Sequence, residues 1–164
     1  MTAESNKGIS VAFVCLGNIC RSPMAEAIFK HTVKRLGVQD KFDKIDSFGT
    51  SGFHVGSSPD RRSVQVCKEN GVEISHHAQR IGPEDFNKFD YILAMDHDNY
   101  ENLEYIHPSN SRAKVALFGE YREDPSFNKI VEDPYYGGKN GFDVNFKQIT
   151  HFSEVFIKRV LGDN

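Results

Sequence analysis

Tryptophan is absent from this chain of 164 residues, and only three cysteines and six prolines occur in it. The thiols Cys15, Cys20 and Cys67 are too few and too scattered for the paired framework of a small secreted protein, so free thiols in a reducing compartment are expected. No apolar run approaches the length needed to span a bilayer, and residues 1–8 are polar, without the apolar stretch of a signal peptide. The ends carry neither a myristoylation glycine nor a prenylation box, which leaves the cytoplasm as the expected location, with no membrane partner. A strong charge of either sign is missing as well. The formal net charge is −3 and the basic residues are dispersed, so no nucleic-acid partner is expected. An anionic ligand would have to be held by local chemistry.

What is present suits one globular domain over residues 1–164, with 1–8 as a flexible start: 38% of residues are hydrophobic and 26% charged. The β-branched and aromatic run at 9–15 has the character of a strand buried on both faces, and should be the central one. Ser22 as cap and Pro23 in a first turn open a helix whose apolar face includes Met24, Ala27, Ile28 and Val33, with Gly37 at its end. Further strands are expected near 44–48, 90–95 and 113–118. Helices are expected from Pro59 to about residue 70, over 98–106, and on a closing face marked by Phe146, Ile149, Phe152, Phe156 and Val160. The order β-α-β-α-β-α-β-α predicts a three-layer α/β domain with a four-stranded parallel sheet, doubly wound in the flavodoxin-like manner, with ligands at the carboxyl ends of strands.

Cys15 stands at such an end and begins the string Cys15-Leu16-Gly17-Asn18-Ile19-Cys20-Arg21-Ser22. A cysteine, five residues, an arginine and a serine between a strand and a helix form a phosphate-binding loop: a tight arc aims backbone N–H groups inward and the helix adds its positive dipole end. Arg21 can hold two phosphoryl oxygens at once through its planar fork. Cys15, facing the same donors, should ionise more readily than a free thiol and act as nucleophile, with Ser22 donating to its sulfur. Gly17 and Asn18 both tolerate the left-handed backbone that such a curl requires. Cys20 has two compatible readings, a small buried residue and a redox partner able to form a disulfide with Cys15. Cys67 lacks such neighbours and is assigned to packing. A leaving group also needs a proton, which no loop residue can supply. Asp124-Pro125 and Asp133-Pro134 both offer a carboxyl, and spacing does not choose between them.

The stretch from Cys15 to Glu26, together with Asp46-Ser47, Gly49-Thr50-Ser51, Pro59-Asp60-Arg61, Met95-Asp96 and the segment around Asp133-Pro134-Tyr135, resembles the low-molecular-weight protein tyrosine phosphatases over nearly the whole chain. The resemblance implies hydrolysis of phosphotyrosine proteins and small aryl phosphates, an acid phosphatase activity, through a phosphocysteine intermediate without metal or cofactor, in a monomer that dimerises weakly at most. It selects Asp133 as the general acid and leaves Asp124 as a turn residue. It makes Ser47 and His76 the partners that hold Asn18; on their own, His76 and His77 would read as solvated turn residues. Asp96 stays open between support of the site and helix capping.

By the same resemblance Phe53 and Tyr135 are the aromatic walls for a phenyl ring, and Ile19, a threonine in related arginine phosphatases, favours phosphotyrosine. Relatives often carry Trp or Tyr at Phe53 and a smaller residue at Phe48, so both positions bear on substrate preference. Tyr135 and Tyr136 are read as packing rather than as modification sites. An arsenate reductase of the same fold is the nearest rival, but it would need relay cysteines beyond Cys67. A non-catalytic phosphate-binding module would lack the nucleophile or the acid.

Overall fold

The computed structural model describes residues 8–135 and 139–162; the expected flexible start, apart from Gly8, and Tyr136 lie outside them. Strand β1 (Ile9–Cys15) pairs in parallel with β2 (Phe42–Gly49) on one side and with β3 (Tyr91–Ala94) on the other, and β4 (Lys114–Leu117) completes the order β2-β1-β3-β4. Among the described residues the α-helices are α1 (Arg21–Arg35), α2 (Arg61–Glu69), α3 (His97–Ile106) and α4 (Lys139–Val160). The chain leaves β1 toward β2 and later returns to the opposite flank. This reversal is a switch point of a doubly wound sheet, where a crevice opens beyond the carboxyl ends.

The apolar run of β1 is continuous because both faces of the strand are covered. Val11, Phe13 and Cys15 point into one core with Met24, Phe29, Phe118, Phe152 and Phe156, the side carrying α1 and α4. Ala12 and Val14 point into the other, with Phe48, Ile92, Ala94 and Leu103. The period-2 alternation of a strand therefore decides that the Cys15 side chain faces the helix that follows it. Phe29 is fully buried and meets Phe42 and Phe156 edge-on at ring separations of 5.3 and 5.7 Å.

Some local expectations are corrected. Ser22 does not cap α1: the cap is Cys20, without a side-chain hydrogen bond, and the Ser22 hydroxyl is committed to the loop instead. The end of that helix is as expected: Leu36 is its cap and Gly37 follows at φ 71°, the left-handed glycine that closes it. Helix α2 is capped by Asp60, which accepts from the Arg62 amide. Helix α4 begins at Lys139, earlier than the face marked by Phe146, with Phe142 and Asn145 buried in its opening turns. Phe48, expected to bear on substrate preference, belongs to the core, 4% exposed and edge-on to Phe89, and does not line the hollow over the loop after β1.

Because Phe29 joins β1, β2 and α4, Phe29→Ala is expected to destabilise the fold by about 3–5 kcal/mol. Urea unfolding followed by circular dichroism measures the loss.

Candidate functional site

The loop after β1 is shaped from outside. Its carbonyls at Cys15, Leu16 and Ile19 accept from the amides of Thr50, Ser51 and Asp60 at 3.0, 2.9 and 2.7 Å, and that of Cys20 accepts from the Ser63 hydroxyl at 3.1 Å. An arc whose carbonyls turn outward presents its amides to the concave side, the form of an anion nest. The Asn18 amide donates to Cys15 Sγ at 3.3 Å, and Ser22 Oγ lies 3.1 Å from the same sulfur. Asn18 Nδ2 already donates to Ser22 Oγ at 2.7 Å, so the hydroxyl proton is left for Cys15 or for the Phe48 carbonyl at 3.2 Å.

Asn18 alone among the described non-glycine residues adopts a positive φ, 60°. Gly17 does not; its place is steric, since a Cβ there would stand 2.9 Å from the His54 ring. The left-handed turn at Asn18 is held by its own side chain. Oδ1 accepts from the Gln79 amide at 2.9 Å and faces His76 Nε2 at 2.8 Å, while Nδ2 donates to Ser47 Oγ at 3.1 Å. An amide oxygen only accepts, so Nε2 is the donor. Ser47 donates to Glu26 Oε1 at 2.7 Å, His76 Nδ1 lies 3.3 Å from the same oxygen, and Lys30 binds Glu26 Oε2 at 2.7 Å. Ser47 and His76, which the resemblance implies as partners of Asn18, both contact its side chain. Nothing in the sequence assigns Glu26 or Gln79 a task; an acid on the apolar face of α1, one turn after Ser22, is the signal it offers. Glu26, Asp46 and His76 place ligand atoms within 4.8 Å of one another, but Lys30, Ser47, Gln79 and Asn18 already engage them.

Arg21 is 2% exposed. Its Nη1 donates to Asp96 Oδ2 at 2.6 Å and to the Val131 carbonyl at 2.9 Å, its Nη2 is 3.6 Å from Asp133 Oδ2, and its Nε is buried with no partner among the described residues. Burial works against the charge, yet Cys15 and Asp96 outweigh it and raise the guanidinium above its ordinary pKa. Asp96 takes both roles left open for it, since its Oδ1 also caps α3 by accepting from the Asn99 amide. Burial, with Asp60 nearby, pushes the Cys20 thiol well up, and burial alone pushes Cys67 up to about 12.

A cleft of about 370 Å³ opens over the loop, lined by Cys15, Leu16, Gly17, Ile19, Cys20, Arg21, Ser51, Phe53, His54, Asp133 and Tyr135. Phe53 is 87% exposed and Tyr135 36%, with His54 between them at 4.9 and 6.5 Å from their rings. His54 was not singled out from the sequence, where only its neighbour Phe53 was. Asp133 is held by the Tyr135 amide, which donates to its Oδ1 at 3.0 Å. Arg62 in turn donates to the Tyr135 carbonyl at 2.9 Å and is anchored on Asp60. Asp124 is outside the cleft and closes its own turn, accepting from the amide and hydroxyl of Ser126 at 2.9 and 2.8 Å.

Similarity to known proteins agrees with this geometry. Residues 10–163 match a family model described as low molecular weight phosphotyrosine protein phosphatase. The chain is 54% identical to the protein of that name from Saccharomyces cerevisiae, over 98% of this chain and 100% of that one. With the Schizosaccharomyces pombe protein of the same name it shares 51% identity, over 94% and 98%. Among solved structures, a protein tyrosine phosphatase from Entamoeba histolytica with Hepes in the active site aligns with TM-score 0.89 and 34% identity, over 94% of this chain and 97% of that one. A Drosophila arginine phosphatase aligns at 0.87 and 38%, over 95% and 100%.

Asn18→Ala removes four side-chain contacts and leaves the partners of a buried amide unsatisfied, so a loss of about 2–4 kcal/mol is expected. Thermal unfolding should record it, together with weaker protection by added inorganic phosphate.

Proposed function

We propose, from the premise that the chain belongs to the low molecular weight phosphotyrosine protein phosphatase family, that it hydrolyses phosphotyrosine and small aryl phosphates at the Cys15 loop. The observation that carries this reading is the state of Arg21: a buried guanidinium beside a thiol, tethered through Nη1 and with Nε unpartnered. A buried donor without a partner is costly unless a ligand completes it, and a phosphoryl oxygen would do so. The loop amides and the start of α1 would take the remaining oxygens.

In the first step the Cys15 thiolate attacks phosphorus. The S–P bond forms as the P–O bond to the aryl group breaks, and Asp133 gives its proton to the departing oxygen. In the second step Asp133, now a carboxylate, takes a proton from water. The water oxygen attacks phosphorus, the S–P bond breaks, and inorganic phosphate leaves with the thiolate restored. Arg21 supports the equatorial charge in both steps and Ser22 stabilises the sulfur as leaving group. Asn18, Ser47, His76 and Glu26 keep the loop curled. Ile19, Phe53 and Tyr135 favour a flat aryl group over phosphoarginine, and Cys20, within the same cleft, is the candidate redox partner of Cys15. The reading takes the protein as a cytoplasmic monomer, dimerising weakly at most, that engages neither nucleic acid nor membrane. Among the described residues no helix is long and apolar enough to cross a membrane.

An arsenate reductase is not favoured: its relay needs further cysteines, and beyond the loop the sequence offers only Cys67, which packs in the core.

Cys15→Ser is expected to abolish turnover of p-nitrophenyl phosphate while phosphate still raises the melting temperature. Asp133→Asn should lower kcat on phosphotyrosine by about 10²–10⁴-fold, with a smaller loss on p-nitrophenyl phosphate, whose leaving group hardly needs the proton. Equal loss on both would move the acid elsewhere. A chelator should leave all rates unchanged, and strong inhibition by it would count against this mechanism.

A further inference from the structure

A second groove, of about 840 Å³, adjoins the cleft and shares two of its wall residues, Leu16 and Ser51. Its other walls include Arg80, Glu84 and Tyr105. Tyr105 is 91% exposed, a large apolar surface left uncovered at the rim. The backbone of Arg80 is fixed: Gly49 donates to the Gln79 carbonyl at 2.8 Å and Ile81 donates back to the Gly49 carbonyl at 2.9 Å, forming a parallel bridge at Arg80. The Gln79 amide donates inward to Asn18 Oδ1 and its side chain to Asp46 and the Ser47 carbonyl, while Arg80, the next residue, is exposed.

The Arg80 stem lies against Gly52, where an added Cβ would stand 3.4 Å from Cδ. Gly52 follows Ser51, the wall common to both hollows, so the cation stands next to the catalytic cleft. The groove's acid, Glu84, leans over Gly82 instead. No ion pair joins Arg80 and Glu84, and the Arg80 guanidinium has no hydrogen-bond or ion-pair partner among the described residues. A cation beside the cleft, anchored by its backbone and with no internal partner, is available to an incoming chain.

We propose that this groove receives the polypeptide on one side of the phosphotyrosine, and that Arg80 selects an acidic residue close to it in sequence. The inference rests on the phosphatase reading. It concerns the choice among peptides rather than the chemistry. A phosphotyrosine seated in the cleft must lead its own chain out over the rim, and the hollow beyond Leu16 and Ser51 is continuous with that exit. An exposed ion pair accounts for a preference of a few-fold.

The test uses phosphotyrosine peptides of one length and an alanine background, with Glu, Gln or Lys placed singly at each of the three positions before and after the phosphotyrosine. The kcat/KM of the unaltered protein, Arg80→Gln and Arg80→Glu is compared on this set and on p-nitrophenyl phosphate, which has no flanks. The unaltered protein should prefer Glu over Lys by about two- to fivefold at one flank position. Arg80→Gln should flatten this preference, Arg80→Glu should invert it, and about 0.5 M salt should erase it. Rates on p-nitrophenyl phosphate should stay within about twofold. A flat profile for the unaltered protein, or a preference that survives both substitutions, overturns the proposal. An equal loss on p-nitrophenyl phosphate does so too, since Arg80 would then support the loop itself. Absence of turnover on every substrate would instead strike the phosphatase reading, a distinct result.

Discussion

The left-handed turn at Asn18 is the constraint on which the site depends. A chain leaving β1 and entering α1 within a few residues can encircle an anion only if one residue reverses the backbone, and that residue has φ 60°. Asparagine reaches this conformation more readily than most side chains, but not without cost. Here its amide compensates, because each end of it is used. The oxygen is tied to Gln79 and His76, the nitrogen to Ser47 and Ser22. The chain of contacts then runs through Ser47 to Glu26 and out to Lys30, so α1, β2 and the segment preceding Arg80 are clamped to one side chain. Removal of any member leaves buried polar groups without partners, which makes the set cooperative.

Arg21 balances this clamp from the other side of the loop. A fully buried cation is tolerable only when paired, and Asp96 with the Val131 carbonyl pairs half of it. Nε is left without a partner among the described residues, and Nη2 has only Asp133 at 3.6 Å. On the proposed reading that arrangement trades some stability for a binding site: a guanidinium desolvated and oriented before phosphate arrives would need little reorganisation on binding. Asp96 performs two tasks with its two oxygens, capping α3 and holding Arg21, which couples the third helix to the loop.

Much of this was legible in the sequence where the determinants are local. β1 shows as a doubly buried strand because its apolar run is uninterrupted, and the loop after it stands out because Cys15, Arg21 and Ser22 fall within eight positions of the chain. Element order then led to the observed four-stranded parallel sheet. Contacts between distant segments were not legible in that way. Glu26 meets His76, Asn18 meets Gln79 and Arg21 meets Asp96 only after the sheet has formed. Nothing in the neighbourhood of Gln79 or Arg62 marks either as part of the site. Ser22 illustrates the reverse error: serine before proline at a helix start reads as a cap, yet the hydroxyl is drawn into the loop, where sulfur, amide and carbonyl compete for it. Gly17 was assigned a backbone role, whereas its lack of a side chain admits the His54 ring.

The choice between Asp124 and Asp133 shows what placement adds to composition. Both precede proline, and both carboxylates accept from an amide two residues ahead, the Ser126 and Tyr135 amides. The hydrogen bonds from Ser126 hold the Asp124 carboxyl below its ordinary range, at the surface and outside the cleft. Asp133 occupies the same local turn, but Arg62 fixes the next segment through the Tyr135 carbonyl, and Asp60 fixes Arg62. Asp60 also caps α2 and donates its own amide to the loop at Ile19. One residue therefore ties the floor of the cleft to the segment bearing Asp133. A general acid, the role proposed for Asp133, would have to be positioned by the fold while staying in contact with solvent. With a side chain 39% exposed above a guanidinium that is 2% exposed, Asp133 meets both conditions, and the buried Arg21 meets the opposite requirement of a charge that never changes state.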